Sequence, residues 1–195
     1  LNSTAPNAGG SISARTLHYP SGVALDAADN LYVADSNNHR VLVYLNPAST
    51  DATADLVFGQ GGDFTTGVAN KGGISAASLN YPYGLQVDRN GNVYVADMDN
   101  NRVLGYTNPL QTDQIADLVI GQSGSFARSQ ANQGQRTALA GTVRNQDSLR
   151  GPTAVGLNAN GDLFVVDNGN NRVLSFQSIP ALTEQSQIFL PSITR

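Results

Sequence analysis

The chain has 195 residues, a formal net charge of −4 and only 13% charged residues, with 20 glycines, one lysine and no cysteine. That length is enough for a sizeable core. The missing thiols exclude a disulfide framework and a thiolate metal site, and the acidic balance offers no broad basic field for nucleic acid or an anionic membrane surface. Glycine together with abundant Asn, Ser and Thr marks a turn-rich, all-β composition. The chain opens "LNSTAPNAGG", without Met or a signal-like stretch, as a processed product or an excised piece would, and no run of 18 apolar residues predicts membrane insertion.

In chain order the first recognisable unit begins at "LHYPSGVALD", residue 17, and returns as "LNYPYGLQVD" at 79 and "LRGPTAVGLN" at 149. Each copy predicts a first strand ending in an Asn, Asp or Gly turn, "DAADN", "DRNGN" or "NANGD", whose residues tolerate left-handed backbone. A second strand follows, "LYVAD", "VYVAD" or "LFVVD". Next comes a polar turn centred on Asn and a third strand, "RVLVY", "RVLGY" or "RVLSF". Fourth strands are expected at 54–60 and 116–122, with an altered version at 186–192 that contains Pro191 and reads as a terminal repeat. The predicted blades run 17–60, 79–122 and 149–192, separated by long loops 61–78 and 123–148.

Central strands that are apolar at nearly every position need cover on both faces, which one four-stranded sheet cannot supply. Radial stacking of such meanders gives a β-propeller, with three four-stranded antiparallel blades in this chain. The stretches 19–44, 81–106 and 151–176 resemble NHL repeats in their Pro, Gly-hydrophobic-Asp, hydrophobic-Asp and Asn-x-Arg-hydrophobic order. The "ADLVFGQ" and "ADLVIGQ" segments, with the Asn- and Gly-rich loops after them, further resemble the long repeat units of bacterial extracellular NHL-containing proteins. That resemblance, with the Asn- and Thr-rich, Lys-poor composition, implies an extracellular or cell-surface location.

Asp35, Asn38 and Arg40 recur as Asp97, Asn100 and Arg102, and again as Asp167, Asn170 and Arg172. The carboxylate is expected to accept from N–H groups of its turn, and the guanidinium to clamp carbonyls or the Asp, stapling the hairpin tip. The resemblance implies the same structural duty. The alternative is that three arginines converge on one anionic ligand.

Known propellers have about four to eight blades, so three leave two apolar flanks bare. Self-association as three plus three, or the remainder of a longer chain, would cover them, and the two-fold assembly is preferred. His18 and His39 are expected on one rim, where they are weak candidates for a metal site without a third ligand; solvent-exposed turn histidines are the plainer reading. The turns "DAADN" and "DRNGN" are similar to the start of a calcium loop but lack its downstream acid, which favours ordinary Asx turns. No cofactor is predicted, with calcium or zinc left as possibilities, and no catalytic nucleophile or paired carboxylates stand out.

Arg128, Arg136 and Arg144 in the second long loop, with Arg150 beyond it, form the one local basic bias. They are candidates to bind an anionic peptide, a glycan bearing carboxylates or a partner subunit, against the simpler reading of a solvated loop face. The leading functional expectation is a non-catalytic binding or scaffold module that recognises protein or carbohydrate through its loop-lined rim. A metal-dependent lyase or lactonase of propeller fold is the alternative. RNA binding is disfavoured by the acidic charge.

Overall fold

Runs of β-branched and aromatic residues punctuated by Asx and Gly turns fold as the expected meanders. The structure, a computed structural model, describes residues 4–134 and 148–177. Blade one holds β1 (Pro20–Leu25), β2 (Leu31–Asp35), β3 (Arg40–Tyr44) and β4 (Leu56–Phe58), hydrogen-bonded antiparallel in that order. Blade two repeats it with β5 (Pro82–Val87), β6 (Val93–Asp97), β7 (Arg102–Tyr106) and β8 (Leu118–Ile120). In blade three the described strands are β9 (Pro152–Leu157), β10 (Leu163–Asp167) and β11 (Arg172–Phe176). The fourth strand expected at 186–192, with Pro191, lies outside the described residues, as do Arg136 and Arg144. Strands β4 and β8 are three residues each, shorter than the runs read from the sequence, because the following Gly59 and Gly121 turn the chain at φ 88° and 86°.

The first hairpin of every blade is an Asx turn. Asp26 Oδ1 accepts from the main-chain N–H groups of Ala28 and Asn30 at 2.8 and 3.0 Å, and Asp88 Oδ1 from those of Asn90 and Asn92 at 2.8 and 2.9 Å. Each carboxylate also takes a side-chain bond at 2.8 Å, from Asn30 and Asn92. In blade three acid and amide trade places. Asn158 caps the turn and donates to Asp162 at 2.7 Å. The oxygens that a calcium loop would supply are thus engaged in turn chemistry.

Alternation of side chains makes successive blades share cores. One face of blade one, with Tyr32, Ala34, Val41, Val43 and Phe58, packs on Leu85, Val87, Val93, Val95, Leu104 and Tyr106 of blade two. The other face of blade two, with Tyr94, Val103, Leu118 and Ile120, packs on Leu163 and Val165 of blade three. Inner strands β1, β5 and β9 lie against one another. Farther out, lead-in residues Leu79 and Leu149, both fully buried, join the cores between blades. The described loop segments are therefore packing elements as well as connections.

The flanks are less bare than the sequence suggested. The outer face of blade one buries Val33, Leu42, Tyr44 and Val57 with the chain's own Ala14, Leu17 and Phe64 packed on it, leaving inner-strand Val23 and Leu25 exposed. On blade three Phe164 and Val173 are 39% and 62% exposed, whereas their counterparts Tyr94 and Val103 in blade two are buried.

Close approach of the inner strands requires glycine. A Cβ on Gly22 would lie 2.5 Å from Tyr83 O, and one on Gly84 would lie 2.6 Å from Thr153 O and 2.8 Å from Ala154 Cα. Blade three carries Ala154 at this position. Gly84→Ala should cost about 3 kcal/mol of unfolding free energy by denaturant titration, because backbone must shift on both sides of the seam. Gly156→Ala, in β9 with nothing within 4 Å of the added methyl, should be close to neutral.

Candidate functional site

The triplicated polar residues meet where the second strand turns into the third. Asp35 and Arg40 are register partners across the β2–β3 pair, as are Asp97 and Arg102, and Asp167 and Arg172. Each Asp–Arg Nε contact is 2.7 Å, and in the first two blades both side chains are fully buried. The same carboxylate oxygen takes the amide of Asn38, Asn100 or Asn170 at 2.8 Å. Its other oxygen accepts a main-chain N–H from the residue two before the strand: His18 at 2.6 Å, Asn80 at 2.7 Å or Arg150 at 2.7 Å. The carboxylate thus takes donors from the turn side chain and from the lead-in main chain, which extends the expected staple beyond the hairpin tip. Burial pushes the Asp97 carboxyl pKa upward against the opposing pull of Arg102, the Asn80 N–H and Asn100, which shows why so many donors converge on it.

The guanidinium then reaches further. Arg40 donates to Phe64 O, Ser13 O and Thr16 O at 2.6, 2.9 and 2.8 Å, and Arg102 to Phe126 O, Ser75 O and Ser78 O at 2.6, 3.0 and 2.9 Å. Arg172 makes the matching bond to Ser148 O. The turn asparagines also pair, amide to amide, with Asn7, Asn70 and Asn132 of the lead-in loops, each at left-handed φ. Buried Gln60 holds the second loop through His39 O and Val68 O at 2.9 and 3.0 Å, and Gln122 holds the third through Asn101 O and Gln130 O at 3.0 and 2.8 Å. These amides were missed in the sequence. Their signal lay in the likeness of "NAGGSISARTL" to "NKGGISAASL", where Asn7 and Asn70 align. The nine motif residues hold structure, and the three arginines are turned to main-chain carbonyls.

What remains on this rim is a line of side chains near the inner strands. The residue after each Asn turn is left-handed, at φ 51° for His39, 53° for Asn101 and 52° for Asn171. It staples the seam: His39 Nδ1 accepts from Tyr81 N at 3.0 Å, and Asn101 Oδ1 from Gly151 N at 2.8 Å. Burial holds the His39 pKa below the ordinary histidine value despite Asp99, Asp97 and Asp35 nearby, and the neutral ring is the form that can accept. His18 Nε2 lies 3.0 Å from Asn37 Nδ2. Among the described residues no group of three His or acidic side chains comes together to hold a metal.

Tyr19, Tyr81 and Tyr83 form a row, with ring centroids 6.4 and 6.3 Å apart and tilts of 34° and 30°. Tyr19 is 57% exposed. Asp99 borders the row, its main chain bonded to Asn80 O, and burial raises its carboxyl pKa against the pull of His39. Burial also raises the Tyr81 hydroxyl pKa, with Tyr19, Tyr83 and Asp99 adding to it. Of the candidate arginines, Arg150 extends from this rim over Gly169, and Arg128 is exposed on the lead-in loop of blade three. The tyrosine row was not read from the sequence, because Tyr83 falls outside the repeated positions and the ring-to-ring contact crosses a blade seam.

A family profile for the NHL repeat matches residues 17–44, 79–106 and 149–176. No curated protein matches the chain. Similar solved structures include a luciferin-regenerating enzyme, at 18% identity and TM-score 0.48 over 78% of this chain and 38% of that one. A gluconolactonase from Xanthomonas campestris aligns at 16% identity and TM-score 0.43, over 80% of this chain and 36% of its own. Virginiamycin B lyase from Staphylococcus aureus aligns at 12% and 0.42, over 83% and 42%. The chain thus spans well under half the length of each.

Two substitutions probe this constellation. Arg102→Lys keeps the charge but cannot serve Asp97 and three carbonyls at once, so it should lower unfolding free energy by about 3–5 kcal/mol in denaturant titration. His39→Asn copies Asn101 and preserves an acceptor for Tyr81 N. Because the folded His39 pKa lies below 6.5, the unfolded state takes up the proton first as pH falls. Stability contributed by neutral His39 is complete above pH 6.5 and declines below it through the folded pKa. The wild type should therefore lose more stability between pH 7 and 5 than His39→Asn, measured by thermal unfolding across that range.

Proposed function

The chain belongs to the NHL-repeat family, and from that premise we propose that it is a binding module without chemistry of its own, holding a protein or carbohydrate ligand on the rim where the Asn turns meet the lead-in segments. The observation that carries this reading is the row Tyr19, Tyr81 and Tyr83. Three aromatic rings grouped on one rim present wide contact area at little entropic cost, since each has two side-chain torsions to fix. The contrast with the repeated Asp, Asn and Arg residues supports it. Those groups could have met an anion or performed acid–base work, yet their hydrogen bonds go to each other and to the loops.

Recognition through the rim also fits the charge of the surroundings. Asp99 and the Asn80 amide stand beside Tyr81, and Arg150 lies at the third blade's corresponding corner. Such a mixture suits a polar ligand with an apolar face.

The chain has no tryptophan and seven tyrosines, so the part of the tyrosine emission that changes on ligand addition and is lost in Tyr19→Gly or Tyr81→Gly reports on the row. Titration with a panel of oligosaccharides and peptides should give a saturable change with at least one of them, and no turnover of lactone substrates. Stoichiometric zinc or calcium in the purified protein together with lactone or lyase turnover would replace this reading with the enzymatic one.

A further inference from the structure

Tyr19 and Tyr81 adopt φ of 55° and 57°, and each precedes a proline, Pro20 or Pro82. Both circumstances are unfavourable for an aromatic residue. The left-handed region crowds Cβ, and the following proline ring disfavours compact backbone at the preceding position. Blade three makes the same turn with Gly151 at φ 53°, followed by Pro152. The staple across the seam is also the same, since Gly151 N donates to Asn101 just as Tyr81 N donates to His39. The turn itself thus needs no ring, and blade three shows within the same chain what the unstrained solution is. Core packing does not require the rings either, because Tyr19 is 57% exposed and Tyr81 is half-buried at the edge of the core.

We propose that Tyr19, Tyr81 and Tyr83 are a platform for the sugar rings of a neutral glycan chain, an inference that rests on the rim being the binding face and names its ligand class. The C–H face of a pyranose is apolar and lies on an aromatic face, while its edge is a ring of hydroxyls, each donor and acceptor. The groups beside Tyr81 match that edge. The Asp99 carboxylate makes no hydrogen bond among the described residues and lies near enough to Tyr81 to act on its hydroxyl, and Asn80, joined to it by the Asp99 N to Asn80 O bond, directly precedes Tyr81 in the chain. A carboxylate accepts a pair of hydroxyls, and an amide gives and takes one each. A proline-rich peptide also lies on aromatic rings, but its backbone lacks proline N–H groups and presents carbonyls that need donors. The Asp99 carboxylate near the central ring repels such carbonyls and accepts from hydroxyls instead, so the glycan fits better.

The test uses the full chain, wild type and with Tyr19→Gly or Tyr81→Gly, each of which copies Gly151. Calorimetric titration would be made with hexasaccharides of β-1,4-linked glucose, N-acetylglucosamine and xylose and of α-1,4-linked glucose, and with a proline-rich decapeptide, alongside thermal unfolding of each protein. The expected result is binding of at least one hexasaccharide, weakened about tenfold or more by Tyr81→Gly, with melting temperatures of both variants equal to or above wild type. If a hexasaccharide binds equally well to both variants, or if the variants melt several degrees lower, the platform is wrong. Binding of the peptide alone, lost in Tyr81→Gly, would overturn the glycan while leaving the rim as the binding face. No binding of any hexasaccharide or of the peptide would overturn both.

Discussion

An ion pair in each blade, fully buried in the first two, organises both the strands and the segments that lead into them. Asp35 with Arg40, and Asp97 with Arg102, sit without solvent at the end of a hairpin, where an unmatched charge would be costly. Satisfying them fully takes a main-chain N–H, a turn amide and three loop carbonyls per blade. Those partners come from residues as far away as Ser13 and Phe64 for Arg40. The pair therefore imposes order on loops that carry little hydrophobic drive of their own. Polar residues specify here what apolar residues alone could not, namely the path of a Gly- and Ser-rich segment across the edge of a sheet.

The same economy governs the seams. Successive blades are joined near the axis by backbone contact through Gly22 and Gly84, farther out by Leu79 and Leu149, and on the rim by a main-chain N–H of Tyr81 or Gly151 donated to His39 or Asn101, with Ser21 and Ser36 adding bonds to Tyr83 O and Pro82 O at the first seam. Because the structural groups are engaged inwardly, the proposed ligand recognition would fall to residues the repeat leaves free to vary. The rim position after His18, Asn80 and Arg150 is one of these, occupied by Tyr, Tyr and Gly in turn.

Periodicity made the strands and hairpins legible, since a meander of apolar runs with Asx turns has few other readings. The Asp, Asn and Arg triplet was equally legible as structural, because recurrence argues against a catalytic role. Its partners were not. Main-chain carbonyls of Ser13, Phe64, Ser75 and Phe126 carry no side-chain signature, and a loop reads the same in sequence whether it is clamped or free. Nothing in the composition of the long loop 61–78 announces its path, which Gln60, Lys71 and Asn70 fix through bonds that only folding brings together. The tyrosine row was hidden for a related reason: its members come from two blades and one departs from the repeat. His18 lies beside the Asn turn that His39 closes, but the seam bond that occupies His39 Nδ1 depends on a neighbouring blade and leaves no trace in the sequence.

Ala154 stands where the two earlier blades have glycine, and its methyl group projects from the inner strand of the last described sheet. Were another sheet to lie there as tightly as the first pairs do, an oxygen of its innermost strand would be driven into that carbon. A neighbour that shields Phe164 and Val173 would have to stand off from β9 by the width of that methyl group, and its seam would then differ from the two before it.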